Sequence, residues 1–333
     1  MSAEAIHAAA RNGDPRHAGG WKNWTPLHLA AGDGREATAR LLVEHRADPA
    51  ARMRTGRHPR SWRAKADTPP SPSCWSDAVP DELCSAAARG DVDRVRWLLD
   101  AGADSEARIE DGNLGSATPL ILAAFSSPEN APVVRLLIER GADVRAVSGA
   151  GQTALATAAE HGEPEICAAL LDAGAPVDLR IAASLGDTAR VRDLLDAGAS
   201  VHDRDAYRGA PPLYFAAQQN HAEVIALLLD AGAALDDRNA AGDTALHVAS
   251  SAGALAAVEA LLARGADVRA TGRGGDTPLH RACDEWWGAG APIAGALIAA
   301  GASAEAHNDA GQTPAERALA RNKPRVAAAI SGA

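Results

Sequence analysis

The sequence predicts an all-α protein built as a stack of short helix pairs, and three observations carry that prediction. Two phrases recur along the chain, a Thr-Pro-Leu-like opening and a Leu-Leu-Asp-Ala-Gly-Ala-like close. The opening returns every 33 residues from Pro211 through Thr244 to Thr277. Hydrophobic residues make up 47% of the chain but aromatic residues only 3%. A core so poor in rings must be built from Ala, Leu and Val, thin and closely packed. A short period with two fixed phrases means that each unit leans on its neighbours rather than on a central core.

Each unit can be read in order. Its opening stands at Thr25, Thr118, Thr153, Pro211, Thr244, Thr277 and Thr313, reading TPLHLA, TPLILA, TALATA, PPLYFA, TALHVA, TPLHRA and TPAERA. A threonine such as Thr244 can cap a helix with its hydroxyl. Pro26, Pro119, Pro278 and Pro314 fall at the first helical position, where a missing N–H costs nothing. The leucine and the paired alanines that follow give a small-faced helix that lets neighbours approach. Gly162, Gly186 and Gly253 then break that helix. A second helix carries a buried stripe at i, i+3, i+4 spacing, as in Val191, Leu194, Leu195 and in Ile225, Leu228, Leu229. Gly102, Gly141, Gly174, Gly198, Gly232, Gly265 and Gly301 end the second helix at a left-handed capping position. A polar loop leads to the next opening.

The period has interruptions. Units begin near Ala3, Thr25, Asp81, Thr118, Thr153, Val177, Pro211, Thr244, Thr277 and Thr313. Residues 1–24 read as an imperfect N-terminal cap, 25–52 as one repeat, 81–312 as the main array and 313–333 as a C-terminal capping repeat. Between them, 53–80 holds five prolines, Trp62 and Trp75, so it cannot continue the helices. Its first half is basic, with Arg52, Arg54, Arg57, Arg60, Arg63 and Lys65 and no acid over 51–65. It is either a solvated linker or an arm for an acidic partner or for the acidic body of the chain. From Thr153 to Val177 the step is too short to hold a loop, and a notch is expected there. The units at Thr118 and Thr277 carry insertions, SSPENAP and DEWWGAGAP.

These phrases resemble the ankyrin repeat family, over roughly 25–52 and 81–333. The resemblance implies a right-handed solenoid whose loops are β-turn or β-hairpin fingers set at right angles to the helices. It also implies that His28, His247 and His280 tie adjacent repeats by local hydrogen bonds and are not catalytic. Its binding surface would be the concave groove, formed by finger residues and by the residues after the paired alanines. On this chain the finger positions are Trp21, Lys22, Trp24, Tyr207, Arg208, Asp243, Arg273 and Asp276. The helix-end positions are Asp33, Arg89, Phe125, Glu160, His161, Gln218, Gln219, Asp284 and Glu285. Most of the few rings fall in or beside this set, spared from the core and placed where binding hot spots are found. Charge complementarity would come from Arg208, Arg273, Asp243 and Asp276. Trp97 is expected in the core, and one of Trp286 and Trp287 packed with the other exposed.

The function that follows is noncatalytic binding of a partner protein of unknown identity by a monomeric scaffold. The net charge of −10 argues against nucleic acid or an anionic membrane as the partner. No apolar run approaches 18 residues and no secretory signal opens the chain. Four cysteines, Cys74, Cys84, Cys167 and Cys283, lack the spacing of a disulfide scaffold or a zinc site, so a reducing cytoplasm is expected, with no metal and no cofactor. Thirty arginines against three lysines lean toward a GC-rich bacterial source. Two constellations keep open a small-molecule site or an enzyme at the irregular repeats over 160–220 and beyond. They are Glu160-His161 beside the missing loop and His280-Cys283-Asp284-Glu285 beside the tryptophan pair. A purely structural role, as an intramolecular domain or a homodimer, is the third possibility.

Overall fold

A computed structural model describes residues 79–284 and 288–332. The chain divides into two units, one of 1–82 with 96–104 and one of 83–95 with 105–333. In the first, the described residues are the start of α1 (Val79–Ala88) and the end of α2 (Val92–Asp100) with the turn after it. Trp97 of α2 is half-buried rather than a core residue. The expected N-terminal cap, the repeat at 25–52 and nearly all of 53–80 lie outside the described residues. So do Trp21, Lys22, Trp24, His28, Asp33, Glu285, Trp286 and Trp287.

The second unit continues with seven helix pairs. They are α3 (Pro119–Ser126) with α4 (Ala131–Glu139), α5 (Ala154–His161) with α6 (Pro164–Asp172), and α7 (Leu179–Leu185) with α8 (Thr188–Asp196). Next come α9 (Pro212–Gln218) with α10 (Ala222–Asp230) and α11 (Ala245–Ala252) with α12 (Leu255–Ala263). The last are α13 (Pro278–Arg281) with α14 (Gly290–Ala299) and α15 (Pro314–Ala320) with α16 (Pro324–Ser331). The first helices pack in order, α3 on α5, then α7, α9, α11, α13 and α15. The second helices form a parallel row behind them, with α4 on α6 and α8 through α16 in succession.

Local chemistry sets these helices. Thr153 Oγ1 accepts the Ala156 N–H at 3.1 Å, and Asp178 does the same for Ile181 at 2.8 Å in the short unit, which has no threonine at its opening. Thr313 and Glu316 form a reciprocal capping box. The paired alanines, among them Ala158, Ala159, Ala182, Ala183, Ala216 and Ala217, are all essentially inaccessible, which is why neighbouring first helices can close on one another. The second helices supply the larger groups: Ile166 and Leu170, Val224, Ile225 and Leu228, Val258 and Leu261. From Leu179 to Ile330 these residues form one continuous apolar cluster. Phe215 is buried within the stack, so the rings are not all spared from the core.

The fingers are mostly tight turns. The one before α3 is a true hairpin of β1 (Ile109–Asp111) and β2 (Gly115–Ala117), antiparallel with Glu110 opposite Ser116. Arginines lace the row. Arg108 donates to its own finger at Ser116 O and to the next at Val147 O. Arg204 does so at Gly209 O and Arg238 O, and Arg238 at Gly242 O and Thr271 O. In each case the distal carbonyl belongs to the residue in the same repeat position as the arginine.

The notch expected at Val177 is closed. A Cβ added at Gly151, on the finger before α5, would lie 2.8 Å from Ala206 Cβ, on the finger before α9. Consecutive fingers make the same approach, Gly209 to Ala240 and Gly275 to Asp309. The finger row therefore skips one member and resumes its regular packing. Two features allow it: Gly151 sits at φ +79° with no side chain in the way, and the finger before α9 is one residue longer than the one before α11.

Candidate functional site

The closure brings together side chains from non-adjacent repeats. Glu160 ends α5, Arg208 lies on the finger before α9, and Gln218 and Gln219 end α9. The Arg208 Nη2 to Glu160 Oε2 distance is 3.2 Å, and Arg208 Nη1 donates to Gln218 Oε1 at 3.2 Å. Both glutamine amides donate to Glu160 O, Gln218 at 3.2 Å and Gln219 at 2.6 Å. The repeat between them, α7, carries Ser184 in the position that holds Glu160 and Gln218 in its neighbours. A serine there is short enough for the flanking side chains to meet over it. Ser184 is buried and its Oγ has no hydrogen-bond partner.

The Glu160 side chain keeps only 8% of its accessible surface, and burial raises its pKa even though Arg208 pulls the other way. Asp205 on the same finger also raises it, while His161 and a Gln152 hydrogen bond oppose. Arg208 lies over the Tyr207 ring at 5.5 Å from the centroid. Phe125, at the end of α3, meets the His161 ring edge-on at 5.1 Å. Sequence reasoning named Phe125, Glu160, His161, Tyr207, Arg208, Gln218 and Gln219 individually but not Gln152, Ser184 or Asp205; their convergence across α7 depends on the finger closure.

Of the other expected residues, Asp243, Asp276 and Asp284 lie toward the C-terminus and are paired internally. Asp243 takes Arg281 Nη2 at 3.0 and 3.1 Å and the Arg273 N–H at 3.0 Å. Gly272 leaves room for this carboxylate, since a Cβ there would fall 2.2 Å from Asp243 Oδ1. Asp276 is buried and takes Arg317 Nη1 and Asn308 Nδ2, each at 2.9 Å. Asp284 takes Arg317 Nη2 at 2.6 Å and Arg321 Nε at 3.4 Å. Asp243 and Asp276 are thus built into an ion-pair ladder and are not free charge complements. Arg89 and Arg273 are exposed.

Sequence reasoning missed Tyr214, Arg281, Arg317 and Arg321. Arg281 and Arg317 occupy the fifth place of the opening phrase, which holds buried Leu122, Thr157, Phe215 and Val248 elsewhere. That change from an uncharged residue to arginine in the last two repeats was the available signal. Tyr214 stands in the histidine place. Its ring is partly buried, burial raises its pKa, and its charged neighbours are Arg208, Asp243, Arg281 and Glu160.

His247 and His280 make the local ties that the resemblance implied, while His28 lies outside the described residues. His247 Nδ1 accepts the Thr244 N–H at 3.2 Å, so Nε2 carries the proton it donates to Asp276 O at 3.0 Å. His280 repeats this with Thr277 and Gln312 O. Both of its nitrogens are therefore engaged. Its neighbour Cys283 is buried, lies 3.2 Å from Pro314 O, and has its thiol pKa pushed up to about 12 by burial. The Cys167 thiol is likewise pushed up to about 11. Neither supplies a thiolate near neutral pH. Among the described residues no cluster of His, Cys, Asp and Glu is placed to hold a metal, and no helix is long and apolar enough to cross a membrane.

The comparisons with known proteins agree with this architecture. The ankyrin repeat family model in three copies matches residues 83–181 and 179–272, more than half of the chain, and a single-repeat model matches 22–54. The chain is 34% identical to the mouse B-cell lymphoma 3 protein homolog over 175 residues, 49% of this chain and 39% of that protein. It is 32% identical to human B-cell lymphoma 3 protein over 207 residues, 58% and 45% of the two chains. It is 30% identical to the Arabidopsis thaliana E3 ubiquitin-protein ligase XBAT33 over 202 residues, 61% and 33%. The chain spans less than half the length of these curated relatives. They are animal and plant proteins, and a bacterial source rests on composition alone. The stacked helix pairs, the fingers between them and the family match give one conclusion: the chain belongs to the ankyrin repeat family.

Proposed function

We propose that this chain is a noncatalytic scaffold that holds a partner protein on the face formed by its fingers and the C-terminal ends of its first helices. The observation that carries the reading is Tyr207. This residue is 42% exposed at a finger and is the one aromatic among the exposed large hydrophobics of the described residues. A ring held over a fixed guanidinium offers a partner apolar area at little entropic cost. Phe125 and His161 extend the same face toward the N-terminus. The scaffold is a cytoplasmic monomer in this reading, and light scattering reports its oligomeric state.

Tyr207→Ala tests it. The substitution removes an exposed ring and leaves the Arg208 bonds in place, so the circular dichroism spectrum and melting temperature should hold. Partner capture from the native host should fall at least tenfold. Undiminished capture by a folded Tyr207→Ala chain refutes the assignment of this face. The small-molecule alternative over 160–220 would require a ligand to open the same cluster, where Gln218 and Gln219 bond the Glu160 carbonyl and Arg208 meets its carboxylate.

A further inference from the structure

We propose that Glu160 is an internal occupant of a carboxylate-binding site at Arg208, and that the partner of this face presents an acidic side chain that displaces it. The inference rests on the scaffold reading and names the chemistry of its partner.

Arg208 does not depend on Glu160 for its position. Gln218 holds one terminal nitrogen and the Tyr207 ring lies against the guanidinium, so the fork stays aimed when the carboxylate leaves. A planar fork with one nitrogen fixed is suited to a carboxylate. Glu160, in contrast, is buried, faces Asp205 as well as Arg208, and is a poorly solvated anion where it sits. Releasing it to water recovers hydration that offsets part of the lost ion pair. Its departure also leaves Gln218 and Gln219 bonded to the Glu160 carbonyl, so the backbone bridge across α7 survives the exchange.

The site also discriminates. Of the arginines on the ladder, Arg281 and Arg317 are each engaged by two or more aspartates, while Arg321 meets Asp284 at the C-terminal end. Arg208 is matched by one glutamate only, and that glutamate comes from two repeats away. An acidic side chain arriving beside the exposed Tyr207 ring meets the fork on the accessible side, since the Arg208 side chain keeps 29% of its surface. The fitting ligand is therefore a peptide segment with a carboxylate next to an apolar residue.

The test uses the full chain, ¹⁵N-labelled, titrated at low salt with a synthetic hexapeptide carrying a central Glu-Leu pair, with Gln-Leu and Lys-Leu versions as controls. The Glu-Leu peptide should shift the Arg208 Nε and Gln218 Nε2 resonances, and the controls should not. Glu160→Gln keeps the shape and removes the tethered competitor, so it should tighten binding of the acidic peptide roughly tenfold. Arg208→Lys keeps the charge but loses the fork, and should weaken it. No shift with the acidic peptide, equal shifts with the Gln-Leu peptide, or unchanged affinity in a folded Glu160→Gln chain overturns the proposal. In each of those cases a Tyr207-dependent capture would still stand for the scaffold reading, whereas its loss would remove both.

Discussion

At the scale of single residues, the two buried histidines show how a side chain can serve structure while looking catalytic. Each uses both ring nitrogens to join its own helix cap to the backbone of the following finger. The bond to Thr244 or Thr277 requires a bare Nδ1, so the folded chain selects the neutral ring. Burial is the main cause that lowers both pKa values below the ordinary 6.5. A lowered histidine pKa means that the unfolded chain binds protons first as pH falls. The stabilisation is complete above about 6.5 and is lost as pH drops from there through the folded values. Denaturant melts from pH 8 to pH 5 should show a falling midpoint. In His247→Gln the fall should be shallower, with lower stability at pH 8. A pH slope identical to the parent's would remove His247 from this account.

At the scale of elements, the finger closure at the short repeat is the feature that sets the candidate site. Gly151 combines a left-handed backbone at φ +79° with the approach to Ala206. Gly151→Ala should cost about 1–3 kcal/mol from the backbone alone, with a further cost from the clash. Ala206→Gly in the same chain should return the clash component but not the backbone component. Urea melts of the two single variants and the double variant measure that coupling, and strict additivity would mean that the fingers do not touch. This element also marks the limit of what the sequence made legible. Helices, caps, glycine breaks and the histidine ties follow from contacts within one repeat or between neighbours, and the repeated phrases report those directly. The Glu160–Arg208 pair joins repeats that are not neighbours, through a loop that is missing, and periodicity carries no record of such a contact. Arg281 and Arg317 escaped for a different reason. They fill a place that holds uncharged Leu122, Thr157, Phe215 and Val248 in other repeats, and the ladder of aspartates beside them offsets the cost of a half-buried arginine there.

At the scale of the whole array, contact mainly between neighbours implies that stability is local, but the ladder ties the last repeats to one another more strongly. Arg317 of α15 reaches back to Asp276 before α13 and to Asp284 after it, and Asn308 also bonds Asp276. Removing 313–333 would expose Cys283 and Leu297, which are now inaccessible. It would also leave the buried Asp276 and the half-buried Asp284 with fewer cationic partners. An ion pair broken from one side costs more than the pair is worth, because the remaining charge stays poorly solvated. The truncated chain should therefore lose more than one repeat. Amide hydrogen exchange should show α13 and α14 opening nearly as readily as a terminal helix, while α5 through α10 keep their protection. Asp276→Asn with Arg317→Leu in the truncation-free chain should reproduce part of that loosening, with protection falling in α13–α16 and unchanged in α5–α10. If protection instead falls evenly along every helix, the array unfolds as one cooperative block, and the ladder adds nothing local.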